Sequence, residues 1–250
     1  MRARIGVAGG LRLAARGLAL VGWLALCLTL YGLRAPLPGR NRVPRLFLGG
    51  TLRIVGARSR FVGEQAPSPC FLVANHASWI DILALAGATG TAFVAHDGLA
   101  GNPGLRFLCR LNRTVFIARG ERGTVGAQVE QVQEGLRESG VLTLFPEGTT
   151  DDGVTLLPFK SSLLAAVDGG DERVAIQPVW IDYGPQARDI AWYGEESGLA
   201  NFTRILARRC PVDVTLHLLS PLGPEARRDR KTIAAAARDA IEDSALRTRT

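Results

Sequence analysis

The sequence predicts an α/β fold, a mostly parallel or mixed central sheet flanked by helices, preceded by an N-terminal hydrophobic membrane-anchoring helix. Three observations carry this expectation. Short apolar runs alternate with segments of helical spacing, the pattern of successive βαβ units. The runs are of strand length and end on Gly, Pro, Asn or Asp. One uncharged stretch, residues 17–33, stands apart near the start. At 250 residues the chain is long enough for one large domain and a short appendage.

In chain order, residues 17–33 consist mainly of Leu, Ala, Val, Gly, Trp and Tyr, with Arg2, Arg4, Arg12 and Arg16 before them and Arg34, Arg40, Arg42 and Arg45 after. As a helix the run would extend roughly 25 Å, a little short of the roughly 30 Å hydrocarbon core. No small-x-small cleavage site precedes the return of charge, so a retained anchor is expected rather than a signal peptide. Pro36-Leu37-Pro38-Gly39 breaks the pattern. Residues 1–45 are therefore expected to form a membrane-associating segment and linker, and residues 46–250 the globular domain.

That domain opens with a short helix over Leu46 to Gly56 and a first strand from Arg60. A strand at Cys70–Ala74 leads through Asn75 and His76 to a helix that starts after Ser78. Thr91–Ala95 and Thr114–Ile117 read as strands with a short helix, Leu105–Leu111, between them. Gly126–Glu138 has helical spacing, and Val141–Phe145 is a central strand ending on Pro146-Glu147-Gly148. Ser161–Val167 looks helical, Val174–Ile181 and Val212–Leu219 are strands, and Ile233–Ala245 is an amphipathic closing helix. In such sheets sites lie beyond the strand carboxyl ends, which is where His76, Arg119 and Glu147 fall.

The formal net charge of +7 and pI near 9.9 suit an anionic membrane surface. Lys160 and Lys231 are the only lysines, and no aromatic-interleaved basic stripe, zinc signature or helix-turn-helix appears, which argues against nucleic acid. Cys27, Cys70, Cys109 and Cys210 are widely spaced and read as reduced, mostly buried thiols, as expected of a cytoplasmic-side catalyst. The three histidines are scattered, so no metal site is expected.

Ser78 is placed as a helix N-cap, which puts Asp81 in the first turn. His76 stays outside the helix. The turn between them lets the Asp81 carboxylate fold back onto one imidazole nitrogen and leave the other free as a base. The amides of the same turn are expected to be available to a developing oxyanion. Arg119, at the end of Val115-Phe116-Ile117-Ala118, would lift a planar guanidinium to the sheet edge, suited to bidentate phosphate recognition, with Arg122 in support. Glu147 cannot itself attract phosphate; it is left to position an arginine, to accept a hydroxyl hydrogen bond, or to order backbone amides.

The pattern Asn75-His76-x-x-x-x-Asp81 resembles the first signature of the glycerophospholipid acyltransferases. Three further segments match in order: Val115–Gly120, then Leu144-Phe145-Pro146-Glu147-Gly148-Thr149-Thr150, then Val174–Ile181. The resemblance covers roughly residues 45 to 240. It implies acyl transfer to a lysolipid hydroxyl, with His76 and Asp81 catalytic and Arg119 on the acceptor's phosphate. It further implies that Glu147, Gly148 and Thr149 lie in the acceptor site, with Asn75 holding the turn, Lys160 assisting and Pro178 supporting the acyl-binding part. Acyl-CoA or acyl carrier protein would be the co-substrate, with no cofactor. The implied location is the inner membrane with the catalytic domain facing the cytoplasm. The first acceptor to expect is 1-acyl-sn-glycerol-3-phosphate. One departure favours an alternative: where relatives commonly carry a lysine-containing segment, this chain has Ala95-His96-Asp97-Gly98-Leu99, a weaker phosphate partner, so a phosphate-free lysolipid such as lyso-ornithine lipid is the second. A lipid hydrolase lacks its G-x-S-x-G here, and a catalytically silent membrane-binding protein would not need to keep His76 and Asp81.

Overall fold

The computed structural model describes residues 5–117, 125–169 and 172–249. Helix α1 (Val7–Arg34) and helix α2 (Val43–Ile54) lead into strand β1 (Ala57–Val62). Strand β2 (Cys70–Ala74), helix α3 (Trp79–Thr89), strand β3 (Ala92–His96), helix α4 (Pro103–Leu111) and strand β4 (Val115–Ile117) follow. Next come helix α5 (Val125–Ser139), strand β5 (Val141–Leu144) and strand β6 (Ala175–Asp182). The chain closes through the short helix α6 (Ala187–Ile190), helix α7 (Gly198–Ala207), strand β7 (Val212–Leu218) and helix α8 (Arg230–Arg249).

The seven strands form one sheet in the order β1-β7-β6-β2-β5-β3-β4. All neighbours are parallel except β6 and β7. Five carboxyl ends, those of β2 to β6, therefore open onto one edge, while β1 and β7 run the other way. Strand β2 is buried throughout, and its pleat sends Cys70, Leu72 and Ala74 into one apolar layer and Phe71 and Val73 into the other. Helices α2, α3 and α7 cover the first layer; α5 and α8 cover the second. Helices α2 and α3 touch through backbone: a Cβ placed on Gly87 would lie 2.7 Å from the Gly49 Cα. Only glycine permits that separation.

Two elements differ from the sequence expectation. Helix α1 starts ten residues before the apolar run and spans 28 residues, about 42 Å at the helical rise. The run was read as short because Arg12 and Arg16 looked like its flank. Both are helical and reach back to the domain: Arg12 Nε donates to the Ala207 carbonyl at 3.0 Å and Arg16 Nη1 to the Leu206 carbonyl at 2.8 Å. They supply donors to the otherwise unpaired carbonyls at the end of α7. Helix α7 itself was not foreseen. Its inward residues Ile205 and Leu206 are fully buried, but they follow Trp192-Tyr193-Gly194-Glu195-Glu196, where polarity masks the period.

Candidate active site

Strand β2 ends on Ala74, and the next two residues begin the site. The Asn75 amide spans strands: its nitrogen donates to the Ile181 carbonyl (3.1 Å) and its oxygen accepts from the Ile181 N–H (2.7 Å). That clamp on β6 fixes where His76 emerges. Ser78 caps α3, accepting from Ile80 N–H at 3.3 Å, and Asp81 completes a capping box by accepting from Ser78 N–H at 2.9 Å.

The same carboxylate oxygen, Oδ2 of Asp81, lies 2.9 Å from His76 Nδ1 and accepts from Ala77 N–H at 2.7 Å. Its other oxygen accepts from the Tyr183 hydroxyl. Asp81 is fully buried, while the His76 side chain keeps 17% of its exposure. Phe145 stacks on the imidazole, with ring centroids 4.1 Å apart. With Nδ1 turned to a carboxylate, the proton sits there and Nε2 is the nitrogen able to accept one.

Glu147 is buried behind the turn. One oxygen accepts from His76 N–H at 3.0 Å, the other from Leu157 N–H at 3.3 Å. Of the three roles open to it, this geometry is the ordering of backbone amides. Burial pushes its carboxyl up to about 7, against the pull of those two N–H donors, with Asp81 and Asp151 adding to the rise. The expectation that the turn's amides await an oxyanion is corrected here: those of His76, Ala77 and Ser78 all donate to the Glu147 or Asp81 carboxylate. Two buried carboxyl groups require more donors than one ring can supply, and the nearest amides supply them.

His76 stands on the wall of a cleft of about 1190 Å³. Gly148, Thr149 and Lys160 line the cleft with it; Asn75 and Glu147 do not. Gly148 adopts φ +72°, and a Cβ there would sit 2.7 Å from Lys160 Nζ, so the glycine lets the ammonium close over the turn. Away from these groups the walls are apolar: Leu24, Cys27 and Leu28 from α1, Phe47 and Leu48 from α2, Leu105 and Leu108 from α4. His96 also lines the cleft, and its Nδ1 accepts from Gly98 N–H at 3.0 Å. That contact occupies Nδ1 with the turn's own backbone. Arg119 and Arg122 lie outside the described residues. Among the described residues no three of His, Cys, Asp or Glu group as a metal site.

Comparison with known proteins fits this arrangement. The profile of the Acyltransferase family matches residues 58–182, half of the chain, including the His76 turn and the Glu147 loop. The chain is 32% identical over 252 residues to a lyso-ornithine lipid O-acyltransferase of Rhodobacter capsulatus, covering 94% of this chain and 90% of that protein. It is 33% identical over 210 residues to the protein of that name from Brucella abortus, covering 78% of each. The chain belongs to the glycerophospholipid acyltransferase family.

The fold agrees. The crystal structure of the 1-acyl-sn-glycerophosphate acyltransferase of Thermotoga maritima superposes with a TM-score of 0.63 at 21% identity, covering 95% of this chain and 98% of that one. The protein is thus an acyltransferase of lysophospholipid type. Two polar residues of this acyltransferase's site were missed in the sequence. Tyr183 follows β6 and lies 102 positions from Asp81; an aromatic hydroxyl one residue past the carboxyl end of a site-forming strand was the available signal. Asn201 accepts from Trp79 Nε1 at 2.9 Å behind the cleft wall, and nothing in its surroundings in the sequence marks it.

Proposed function

We propose that this acyltransferase moves a fatty acyl group from a thioester, acyl-CoA or acyl carrier protein, to the free hydroxyl of a phosphate-free lysolipid of the lyso-ornithine type. His76 is the general base and Asp81 its orienter. Nε2 takes the hydroxyl proton as the oxygen attacks the thioester carbonyl. The C–S bond then breaks, and the thiolate leaves as thiol with the proton that Nε2 returns. The observation that carries this reading is the His76–Asp81 pair: a fully buried carboxylate on Nδ1 of an imidazole that stays partly exposed and lines an apolar cleft of chain-holding size. With the turn's amides occupied, Thr149 and Lys160 are assigned to the carbonyl oxygen.

Two observations favour the phosphate-free acceptor over 1-acyl-sn-glycerol-3-phosphate. Four relatives that match 70–94% of the chain carry the lyso-ornithine name, whereas two named 1-acyl-sn-glycerol-3-phosphate acyltransferase match 46% of it. His96 stands where a lysine is common in the family the chain resembles, and its Nδ1 is taken up by the Gly98 N–H. Arg119 keeps the role of an anion fork, which suits a headgroup carboxylate as well as a phosphate. Residues 1–45 are assigned to the membrane, at the cytoplasmic face of the inner membrane. Tied to the domain through Arg12, Arg16 and Trp23, whose Nε1 donates to the Phe47 carbonyl at 3.0 Å, α1 lies along the domain. It turns Leu11, Leu18, Val21 and Leu33 outward to the lipid.

The test is acyl transfer by purified protein in detergent, with labelled donors and a panel of lysolipids. A kcat/KM for lyso-ornithine lipid at least tenfold above that for 1-acyl-sn-glycerol-3-phosphate is expected. The reverse order would return the acceptor to the phosphate class, with the chemistry at His76 unchanged.

A further inference from the structure

We propose that Tyr183 is a positioning residue of the catalytic pair, setting how strongly Asp81 holds the proton-bearing imidazole of His76. The proposal rests on His76 being the base. Asp81 accepts three bonds at Oδ2, from His76 Nδ1, Ala77 N–H and Ser78 N–H, and one at Oδ1, from the Tyr183 hydroxyl. The first three come from the chain immediately before Asp81 and are fixed by the turn. The fourth comes from across the sheet, beyond the carboxyl end of β6, and among the described residues it is the only side-chain hydroxyl on the carboxylate.

Tyr183 keeps 3% of its exposure, and its ring lies in the apolar layer with Ala187, Ile190 and Leu206. Besides Asp81 the phenol meets the Ser78 side chain, and among the described residues no other carboxylate is bonded to it. Burial first, then the charge of Asp81, pushes its ionisation well above the usual range, so it remains a donor wherever the enzyme works.

The chemical consequence has a definite sign. A hydrogen bond into Oδ1 spreads the carboxylate's charge and weakens its attraction for an imidazolium; without that bond the imidazolium is held more tightly and Nε2 becomes a base that protonates at higher pH. The bond also fixes the carboxylate plane, so that Oδ2 faces Nδ1. Among the described residues, the other titratable groups beside His76 or on its cleft are Glu147 and Asp151 beyond β5, Lys160 after them, and Cys27, Tyr31, His96, Cys109, Tyr193 and Glu196 on the cleft walls. Among the described residues Asp81 accepts only from the turn and from Tyr183, so none of these groups donates to it, and substitution at 183 leaves all of them in place.

The experiment is the pH profile of kcat/KM for the full chain in detergent, compared among wild type, Tyr183→Phe, and protein carrying 3-fluorotyrosine at position 183. Phenylalanine keeps the ring and removes the donor; fluorination strengthens the donor. We expect Tyr183→Phe to lower kcat about tenfold, to leave both KM values within about twofold, and to move the acid limb up by roughly half a unit. The fluorinated protein should move that limb down. A lower Tm with the acid limb unmoved would reduce Tyr183 to a packing residue and overturn the proposal. Should Tyr183→Phe not fold, the fluorinated protein decides alone, since an unmoved limb there has the same meaning. His76→Ala keeps the two readings apart: activity retained in that variant removes the base itself, whereas an inactive His76→Ala beside an unmoved limb removes only the role of Tyr183.

Discussion

The turn that carries His76 and the apolar walls of the cleft are built on opposite principles. In the turn, Asn75, His76, Ala77, Ser78 and Asp81 each have hydrogen-bond partners, and Asp81 is fully buried. Along the walls, α4 has no buried residue, and Leu28 of α1 and Leu105 of α4 keep 37% and 41% of their exposure. Directional bonds fix a reacting nitrogen to within a fraction of an ångström, whereas apolar contacts hold a chain with little preference for register. The fixed part therefore suits the bond-making step and the loose part suits a flexible hydrocarbon.

The sharpest way to break this contrast is within the turn. His76→Ala should lower kcat by roughly 10²–10⁴-fold with the fold and membrane binding kept. Asp81→Asn should be comparably slow, because an amide can orient the ring but cannot stabilise an imidazolium. Near-normal turnover of either variant at saturating substrates would end the base assignment.

Next in size is Asn75→Ala. It strands the Ile181 N–H and carbonyl in a buried strand, costing about 2–4 kcal/mol in denaturant unfolding, with activity falling in step because His76 loses its anchor. An unchanged midpoint would mean that the turn holds itself.

The walls should respond differently. A chain starting at Pro44 loses Leu24, Cys27, Leu28 and Tyr31 from the cleft as well as its membrane tie. It should acylate a short, water-soluble acceptor but lose long-chain acceptors many-fold, at about 0.8 kcal/mol for each CH₂ no longer buried. The sequence alone assigned this segment no part in the cleft; equal rates on short and long acceptors after truncation would restore that view.

The smallest effect is on stability against pH. Glu147 ionises near 4.5 when free and at about 7 in the fold, so between those values the native state holds a proton that the unfolded chain has released. Its contribution is complete below the lower value and is lost as pH rises through the upper one. Unfolding free energy should fall on the order of 2 kcal/mol between pH 5 and 8 from this group, and Glu147→Gln should flatten that slope. A slope unchanged by the substitution would place the titration elsewhere.

The contrast between the two regions also governs what could be read from the sequence. The His76–Asp81 pair, its Ser78 cap and the β2 strand were legible because their determinants lie within a dozen consecutive residues. The Asn75–Ile181 clamp and the Tyr183–Asp81 bond were not, since each joins residues more than a hundred positions apart. Helix α1 was misjudged for a related reason: Arg12 and Arg16 look like solvated flank until α7 presents carbonyls to them. The choice between orientations for Glu147 likewise needed the fold, because a carboxylate on a tight turn is compatible with several partners.

The backbone contact between Gly49 and Gly87 has a consequence for redesign. Helix α3 bears Asp81 near its start and meets α2 at Gly87, so reshaping the cleft from α2 levers on the catalytic carboxylate, and selectivity and rate change together. Among the described residues the close glycine seam joins α2 to α3 and includes neither α1 nor α4. An engineer seeking a different chain length would begin on those two elements, at Leu28 or Leu108, and leave the α2–α3 seam untouched.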